Sequence, residues 1–205
     1  MGKIRYYALS DMPAWLAMKA ATIATERRVP GPIAIQVEYS LVARDVEGEH
    51  FPAARDAGMG VMPWSPLAGG FLSGKYDRNN TADTGRLSGA NPFGDSKFSG
   101  RNWDILDVLK DVAAELDRSP AQVALAWTLA RPGVASTLVG ASKVSQLAGN
   151  IAATDIRLTA DQMGRLDEAS APVPGFSSGL TAPAVRRMVF GGHQVAGWGE
   201  RPGRG

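Results

Sequence analysis

The sequence predicts an α/β fold built on a parallel sheet, and two observations carry that prediction. Short β-type runs alternate with helical segments along the chain, an order typical of parallel strand–helix units rather than of a sandwich or a helical bundle. The 205 residues are 44% hydrophobic and 20% charged, a balance that suits one globular domain with one core. We therefore expect successive strand–helix units within a single domain.

The first two units lie between residues 3 and 58. Strands are predicted at Lys3–Leu9 and Ile33–Val37, and a helix runs between them from about Pro13 to Arg27. The second helix is predicted at Glu49–Ala57 and stops before Gly58, because glycine readily adopts the left-handed backbone that ends helices.

The third unit has a long connection after its strand. The strand is predicted at Val61–Trp64, and a stretch rich in Gly, Ser and Asn then runs from Ser65 to Gly100. That stretch is longer than an ordinary connection between strand and helix, and long connections of this type commonly carry function. We therefore expect a functional loop here.

The remaining part of the folded chain is predicted to be mainly helical. Capping boxes are formed by Ser119 with Gln122 and by Thr159 with Gln162, and each predicts the start of a helix. The predicted elements are two helices at Trp103–Leu116 and Pro120–Leu129, a fourth strand at Ser136–Val139, and two helices at Lys143–Ala152 and from Thr159 to about Ala169.

The C-terminal end differs in composition from the rest of the chain. From Pro172 onward it is rich in Gly, Pro and Ser, so we divide the chain into a folded part, 1–171, and a tail, 172–205. Residues 191–205 show no hydrophobic periodicity, and we expect them to be mobile.

Composition and charge exclude several classes of protein. The absence of cysteine excludes disulfide scaffolds and thiol catalysis. The 22 Lys and Arg residues are scattered and nearly balanced by 20 Asp and Glu, so no nucleic-acid partner is expected. No apolar run approaches the roughly 18 residues of a membrane span, and residues 1–6 lack the apolar region of a signal peptide. We expect a cytoplasmic protein with no membrane partner.

One glycine-rich motif resembles a phosphate-binding P-loop but departs from it. Gly69, Gly74 and Lys75 have the P-loop spacing, yet Tyr76 stands where Ser or Thr would hold magnesium. No Rossmann glycine fingerprint follows any predicted strand. The two histidines, His50 and His193, have no partner at a ligand-like spacing, so neither a metal site nor a histidine-based triad is predicted.

A second candidate anion site follows the fourth predicted strand. Gly140 ends that strand, and Ser142 and Lys143 begin the next helix, where backbone N–H groups and the helix dipole favour an anion. The alternative is that Ser142 only caps the helix and Lys143 is solvated. The residues alone leave both interpretations open.

Four segments in order resemble the aldo-keto reductase family. The four segments are Gly2–Asp11, Gln36–Ser40, Trp64–Lys75 and Ser119–Asn150. The resemblance implies a (β/α)8 TIM-barrel type of fold, of which this chain supplies only the C-terminal half, units five to eight. A complete barrel would need about 250 residues or more.

The resemblance also implies a set of residues that bind NADP. Those at the nicotinamide end are Ser10, Asp11 and Gln36 at the carboxamide and Trp64 stacked on the ring. Asp11 departs from the family's Asn and lacks its NH₂ donor. Those expected at the pyrophosphate are Ser65, Leu67, Gly69 and Lys75. Those expected at the 2′-phosphate and adenine are Gly140, Ser142, Lys143, Gln146 and Asn150.

The implied function is NADP-dependent interconversion of carbonyls and alcohols. The family's catalytic Asp, Tyr, Lys and His belong to the first four units, so we assign no catalytic residue and expect the chain to be inactive alone. The expected partners are NADPH, a carbonyl substrate if an N-terminal half completes the barrel, and a second copy of the chain, because an open half-sheet exposes its edges. The alternative is a non-catalytic half-barrel that binds a nucleotide or a partner protein.

Overall fold

The computed structural model describes residues 2–78, 87, 95–173 and 183–193. Contacts divide the chain into two compact units, 1–172 and 173–205. The first unit contains β1 (Ala8–Ser10), α1 (Ala14–Glu26), β2 (Ala34–Glu38), α2 (His50–Asp56), β3 (Gly60–Trp64), α3 (Gly100–Glu115), α4 (Pro120–Leu129), α5 (Val144–Ala152) and α6 (Ala160–Ala169). Short 3-10 helices lie at Asp45–Glu47, Ala68–Ser73, Asp95–Phe98 and Ala153–Asp155.

The predicted helices are confirmed, and their ends follow from local sequence. Gly58 after α2 has φ of +69°, the left-handed conformation expected at a helix end. The capping boxes before α4 and α6 are both formed. Helix α3 begins at Gly100 rather than Trp103, because the Ser99 side chain accepts a hydrogen bond from the Asn102 backbone and so caps the helix earlier.

The three strands form a parallel sheet in the order β1-β2-β3. Strand β1 is shorter than the predicted Lys3–Leu9, and the reason lies in its neighbour. Ala8 pairs with Ala34, so residues 4 and 6 would have to pair with Pro30 and Pro32, which have no N–H to donate. The ladder therefore begins only beyond the second proline.

The fourth predicted strand, Ser136–Val139, is wrong as a regular strand. The segment 133–138 runs beside β3 with one parallel bridge, between Val61 and Val134, and the Leu138 N–H donates to the Pro63 carbonyl at 2.8 Å. Val61 uses both its N–H and its carbonyl toward this segment. The next residue of β3 that points the same way is Pro63, whose missing N–H interrupts the ladder.

The core lies on one side of this sheet. Ile35, Val37 and Val61 are buried in a cluster with residues of α3 and α4, including Leu109 and Trp127. Side chains alternate between the two faces of a strand, so the other face is set by the intervening residues. This open face, exposed or half-buried, is formed by Ala8, Ser10, Gln36, Glu38, Met62 and Trp64.

A buried ionic cluster joins the segment after β2 to α4 and α6. Arg44, only 8% exposed, pairs with Glu47 at 2.9 Å and with Asp167 at 3.3 Å. Arg131 binds both carboxylate oxygens of Asp167, and the two guanidinium groups lie over the Trp127 ring at 5.1 and 5.0 Å. The cluster therefore fixes the two helices against the loop that follows β2.

Tyr39 belongs to the same cluster. Its hydroxyl donates a hydrogen bond to Glu47, and its ring stacks against Trp127 at 5.5 Å between centroids. Burial, followed by the hydrogen bond and the negative charge of Glu47, raises the pKa of Tyr39 far above its usual value. The hydroxyl is therefore held in its neutral, donating form.

The second unit contains one described helix, α7 (Pro183–Val189), which the sequence did not predict. The expectation of mobility for 191–205 falls, from residue 194 onward, outside the described residues. Within the described ranges, no helix is long and apolar enough to cross a membrane.

Candidate functional site at the carboxyl edge of the sheet

Four connections leave the sheet at one edge. The strands β1, β2 and β3 are parallel, and the extended segment 133–138 runs parallel to β3. Their carboxyl ends therefore meet at the same edge, which is where ligands bind in sheets of this type. We call this the carboxyl edge, and it brings together the segments around Asp11, Tyr39, Ser65 and Gly140.

The residues predicted to hold the nicotinamide carboxamide are neighbours in the sheet. Ser10 and Gln36 pair in register at the ends of β1 and β2, so both side chains lie on the open face. The Asp11 N–H donates to the Gln36 carbonyl at 2.9 Å, and Asp11 has φ of +52°. This left-handed conformation is uncommon for non-glycine residues, but Asp is one of the residue types that adopt it most readily.

The Asp11 carboxylate connects β1 to β3 across the strand between them. Its Oδ1 accepts a hydrogen bond from Trp64 Nε1 at 2.8 Å, and its Oδ2 accepts one from Ser10 Oγ at 3.1 Å. Trp64 is the last residue of β3 and is half-buried. The orientation of its indole ring is therefore fixed by a residue that follows a different strand.

An ion pair on the open face was not predicted. Glu38, which pairs in register with Trp64, contacts Lys97 Nζ at 2.7 Å, and the two side chains are 31% and 12% exposed. Lys97 lies near the C-terminal end of the long loop, 59 positions from Glu38 along the chain, so the sequence held no signal for this pairing. Lys97 therefore neutralises the carboxylate of Glu38, the residue that pairs in register with Trp64.

The connection after β3 is strained at several positions. Ser65 and Ala68 have φ of +53° and +50°, and Gly69 and Gly70 have φ of +67° and +95°. A Cβ atom on Gly69 would lie 2.8 Å from Leu87 Cδ2, so the positive φ and the closeness of this side chain both favour glycine there. Strained non-glycine backbone of this kind clusters at ligand-binding positions.

Hydrogen bonds hold this connection in a compact turn. Ser65 Oγ accepts from the Gly69 N–H at 3.2 Å, and the Leu67 carbonyl accepts from the N–H groups of Gly70 and Leu72. The exposed Lys75 folds back so that its Nζ would lie 3.0 Å from a Cβ on Gly70. Three of the four residues predicted for the pyrophosphate therefore share one turn, and the fourth, Lys75, places its ammonium beside Gly70 in that turn.

The predicted phosphate loop already holds an acceptor oxygen. Gln146 Oε1 accepts from the Ser142 N–H at 2.9 Å, from Ser142 Oγ at 3.2 Å and from the Lys143 N–H at 3.2 Å. Ser142 does not cap α5: the residue before the helix is Lys143, and the Ser142 hydroxyl donates to Gln146 instead of accepting from a backbone N–H of the helix. The three donors converge on one oxygen, and a phosphate oxygen would suit the same position.

The Lys143 side chain, Asn150 and Gly140 are not part of the hydrogen bonds gathered at Gln146. Lys143 is exposed and precedes the first turn of α5, so its ammonium is free to reach an anion. Asn150 lies one turn beyond Gln146 on the same side of α5. Gly140 is exposed, and a Cβ there would meet nothing within 4 Å, so the fold itself does not require glycine at this position.

A cavity lies away from this edge. It measures about 710 Å³ and is formed where α3 turns into α4, beside the end of α5, with Arg118, Ser119 and Arg157 in its wall. Helix α5 begins at the carboxyl edge and ends at this cavity, so the two sites are at opposite ends of the helix. None of the predicted cofactor residues lines it.

The fold and the carboxyl edge together define a class of protein: a parallel α/β domain whose strand ends carry hydrogen-bond donors and glycine-containing turns, groups that suit an anionic ligand. The model of the Aldo/keto reductase family matches residues 1–171. The chain belongs to this family.

Relatives of known sequence agree with that assignment. The chain is 37% identical over 174 residues to the uncharacterized oxidoreductase YrpG of Bacillus subtilis (strain 168), covering 85% of this chain and 51% of that protein. It is 34% identical over 169 residues to a probable voltage-gated potassium channel subunit beta of Oryza sativa subsp. japonica, covering 76% and 48%. It is 31% identical over 168 residues to the probable aldo-keto reductase 1 of Glycine max, covering 82% and 46%. The chain thus spans about half the length of these curated relatives.

Proposed function

We propose that this chain binds NADP(H) at the carboxyl edge and forms the cofactor-binding half of an enzyme that interconverts carbonyls and alcohols. The observation that carries the proposal is the convergence of three features on one edge. These are the hydrogen bonds among Ser10, Asp11 and Trp64, the strained turn from Ser65 to Lys75, and the three donors gathered at Gln146. Membership of the Aldo/keto reductase family supports a nicotinamide cofactor.

The residues present suit each part of such a cofactor. Ser10 and Gln36 offer a hydroxyl and a carboxamide to the nicotinamide amide group, and the Trp64 ring offers a flat apolar face. The turn after β3 offers backbone N–H groups where glycine allows close approach. Ser142 and Lys143 offer hydrogen-bond donors and a cation to a 2′-phosphate. A phosphate oxygen would then replace Gln146 Oε1 as the acceptor for these donors. When bound, NADPH supplies the hydride.

We further propose that the sheet is one part of a (β/α)8 barrel, namely units five to eight. The open face supports this, because parallel sheets normally have both faces covered. In a closed barrel the same face would point into the packed interior. The share of about half that the chain spans in its relatives is consistent with four of eight units.

The 205-residue polypeptide by itself should not reduce carbonyls, because no tyrosine is suited to act as the acid. Tyr39 donates its hydroxyl to Glu47 inside the core, and the Tyr76 hydroxyl is buried against the Leu87 N–H. Tyr6 precedes Ser10 by four residues, about 13 Å of extended chain. Tyr7 directs its hydroxyl to the Pro30 carbonyl at 3.5 Å.

A second candidate function is a non-catalytic module that binds a partner protein or a second copy of itself. Large apolar side chains are exposed in two parts of the described chain, with Ile4 73% and Trp15 64% exposed in the segments before and after β1, and Val144 85% and Ile151 60% exposed on α5. Exposed apolar patches of this kind mark interaction surfaces. Sedimentation should then show a dimer or larger species, whereas a compact monomer at all concentrations would count against this candidate.

The nucleotide proposal is tested by calorimetric titration with NADPH and NADH. We expect tighter binding of NADPH, because the 2′-phosphate gains a charge-assisted contact that a hydroxyl lacks. Lys143→Ala should weaken NADPH by about 1.5 to 3 kcal/mol and change NADH little. Lys19→Ala, an exposed lysine in the middle of α1, is the matched control. No binding of either nucleotide, or equal losses for both, would contradict the assignment.

A further inference from the structure

Asp11 places a carboxylate next to the side chains proposed to hold the nicotinamide. Its carboxylate is the hydrogen-bond acceptor for both the Trp64 indole and the Ser10 hydroxyl, two of the side chains that the proposed function assigns to the nicotinamide end. Its own backbone is fixed by the bond to the Gln36 carbonyl. The carboxylate therefore cannot turn away without losing its hydrogen bonds to Trp64 and Ser10.

The negative charge of Asp11 is not neutralised by its contacts. The indole N–H and the serine hydroxyl are both uncharged donors. Among the salt bridges of the described residues, none includes Asp11. The neighbouring carboxylate of Glu38, in contrast, is paired with Lys97. Asp11 thus presents an uncompensated anion at the edge of the Trp64 ring.

We propose that Asp11 makes this site discriminate between the two redox states of the cofactor in favour of the oxidised one. The inference rests on the proposed function, in which the nicotinamide stacks on Trp64. The oxidised ring carries a positive charge, and the reduced ring is neutral. A ring stacked on an indole whose Nε1 is bound to Asp11 lies beside that carboxylate, which attracts only the oxidised form.

An asparagine at position 11 would behave differently for two reasons. Its carboxamide oxygen could still accept the bond from Trp64, so the ring orientation would be kept. It would carry no charge, however, and would add an NH₂ donor. The substitution Asp11→Asn therefore removes the electrostatic preference while retaining the hydrogen bond that positions Trp64.

The experiment measures dissociation constants for NADP⁺ and NADPH by calorimetry and compares their ratio between variants. Asp11→Asn should shift the ratio by about two- to fivefold toward NADPH, the range expected for one partly solvated charge contact. The shift should shrink between low and high salt because exposed charges are screened. Asp117→Asn is the matched control, since Asp117 is also exposed and has φ of +51°, and its ratio should equal that of the wild type.

The outcomes separate this inference from the proposed function. A purely structural role for Asp11 would weaken both redox states equally, so an unchanged ratio in Asp11→Asn would overturn the inference while leaving nucleotide binding intact. A shift in the opposite direction, or one of equal size in Asp117→Asn, would overturn it as well. If the wild-type protein binds neither nucleotide, the proposed function fails and the inference fails with it.

Discussion

The indole Nε1 of Trp64 donates a hydrogen bond of 2.8 Å to Oδ1 of Asp11, joining the end of β3 to the residue after β1 across the intervening strand. The contact gives the carboxyl edge a defined geometry, because it orients an aromatic ring and a carboxylate relative to each other. Under the proposed function, this geometry orients the ring on which the nicotinamide would stack.

Trp64 should report nucleotide binding through its fluorescence. A nicotinamide ring stacked on the indole would be in direct contact with the emitting group, so NADPH should quench the protein emission. Trp64→Phe should remove most of this quench. Trp15→Phe provides the control, because Trp15 is an exposed residue of α1, and this variant should keep the quench. An undiminished quench in Trp64→Phe would exclude stacking at this position.

Glu47→Gln should destabilise the protein strongly. The substitution leaves Arg44, which is almost fully buried, without its nearest carboxylate charge, and breaking a buried pair from one side costs about 3 kcal/mol or more. Urea unfolding should show this loss as a lower midpoint with an unchanged slope. Glu115→Gln also removes a glutamate bonded to an arginine, but this pair is at the surface, so the midpoint should move little. Similar midpoints for the two variants would show that the cluster contributes no more than a surface pair.

Tyr39 should make the protein sensitive to alkali. Its pKa is raised in the folded state by burial and by Glu47, whereas an unfolded tyrosine titrates near 10. The stabilisation is therefore complete below pH of about 10 and is lost as pH rises above it, by up to about 1.4 kcal/mol per unit. Tyr39→Phe should flatten this alkaline fall in the free energy of unfolding, whereas Tyr7→Phe should not. Parallel curves for wild type and Tyr39→Phe would show that Tyr39 ionises equally easily in both states.

Purified 205-residue protein should reduce 4-nitrobenzaldehyde with NADPH at no more than the background rate. Hydride transfer leaves an alkoxide, and a positioned acid that protonates it typically contributes about 10² to 10⁴-fold. The four tyrosines are buried, bonded elsewhere or remote from the carboxyl edge. Rapid turnover that disappears on replacing one tyrosine would mean that this residue acts as the acid.

The features that the sequence predicted well depend on neighbours along the chain. The capping boxes of α4 and α6 each lie within four residues, so the helix starts could be read directly. The prediction of the fourth strand failed because of a single proline in the adjacent strand, Pro63. Its missing N–H interrupts the ladder only where the two segments lie side by side. Local propensity carries no information about such a partner.

The residues of the candidate site could be predicted from the sequence, but their contacts could not. The resemblance supplied the identities of Ser10, Trp64 and Lys143, but their contacts depend on the sheet register. The bond from Trp64 to Asp11 spans 53 positions along the chain, and the bond from Arg44 to Ser170 spans 126. Pairings at such separations follow from the three-dimensional fold rather than from spacing, so the Asp11 contact and the ionic cluster had no sequence signal.

The most direct test of nucleotide binding at the carboxyl edge is a titration of ¹⁵N-labelled protein with NADPH, followed by amide and indole resonances. We expect the largest shifts at the Trp64 indole N–H and at the backbone N–H groups of Asp11, Gly69, Ser142 and Lys143. The same titration with NADH should move the first three and leave Ser142 and Lys143 nearly unchanged. Shifts confined to the cavity around Arg118 and Arg157, or no shifts at millimolar NADPH, would contradict it.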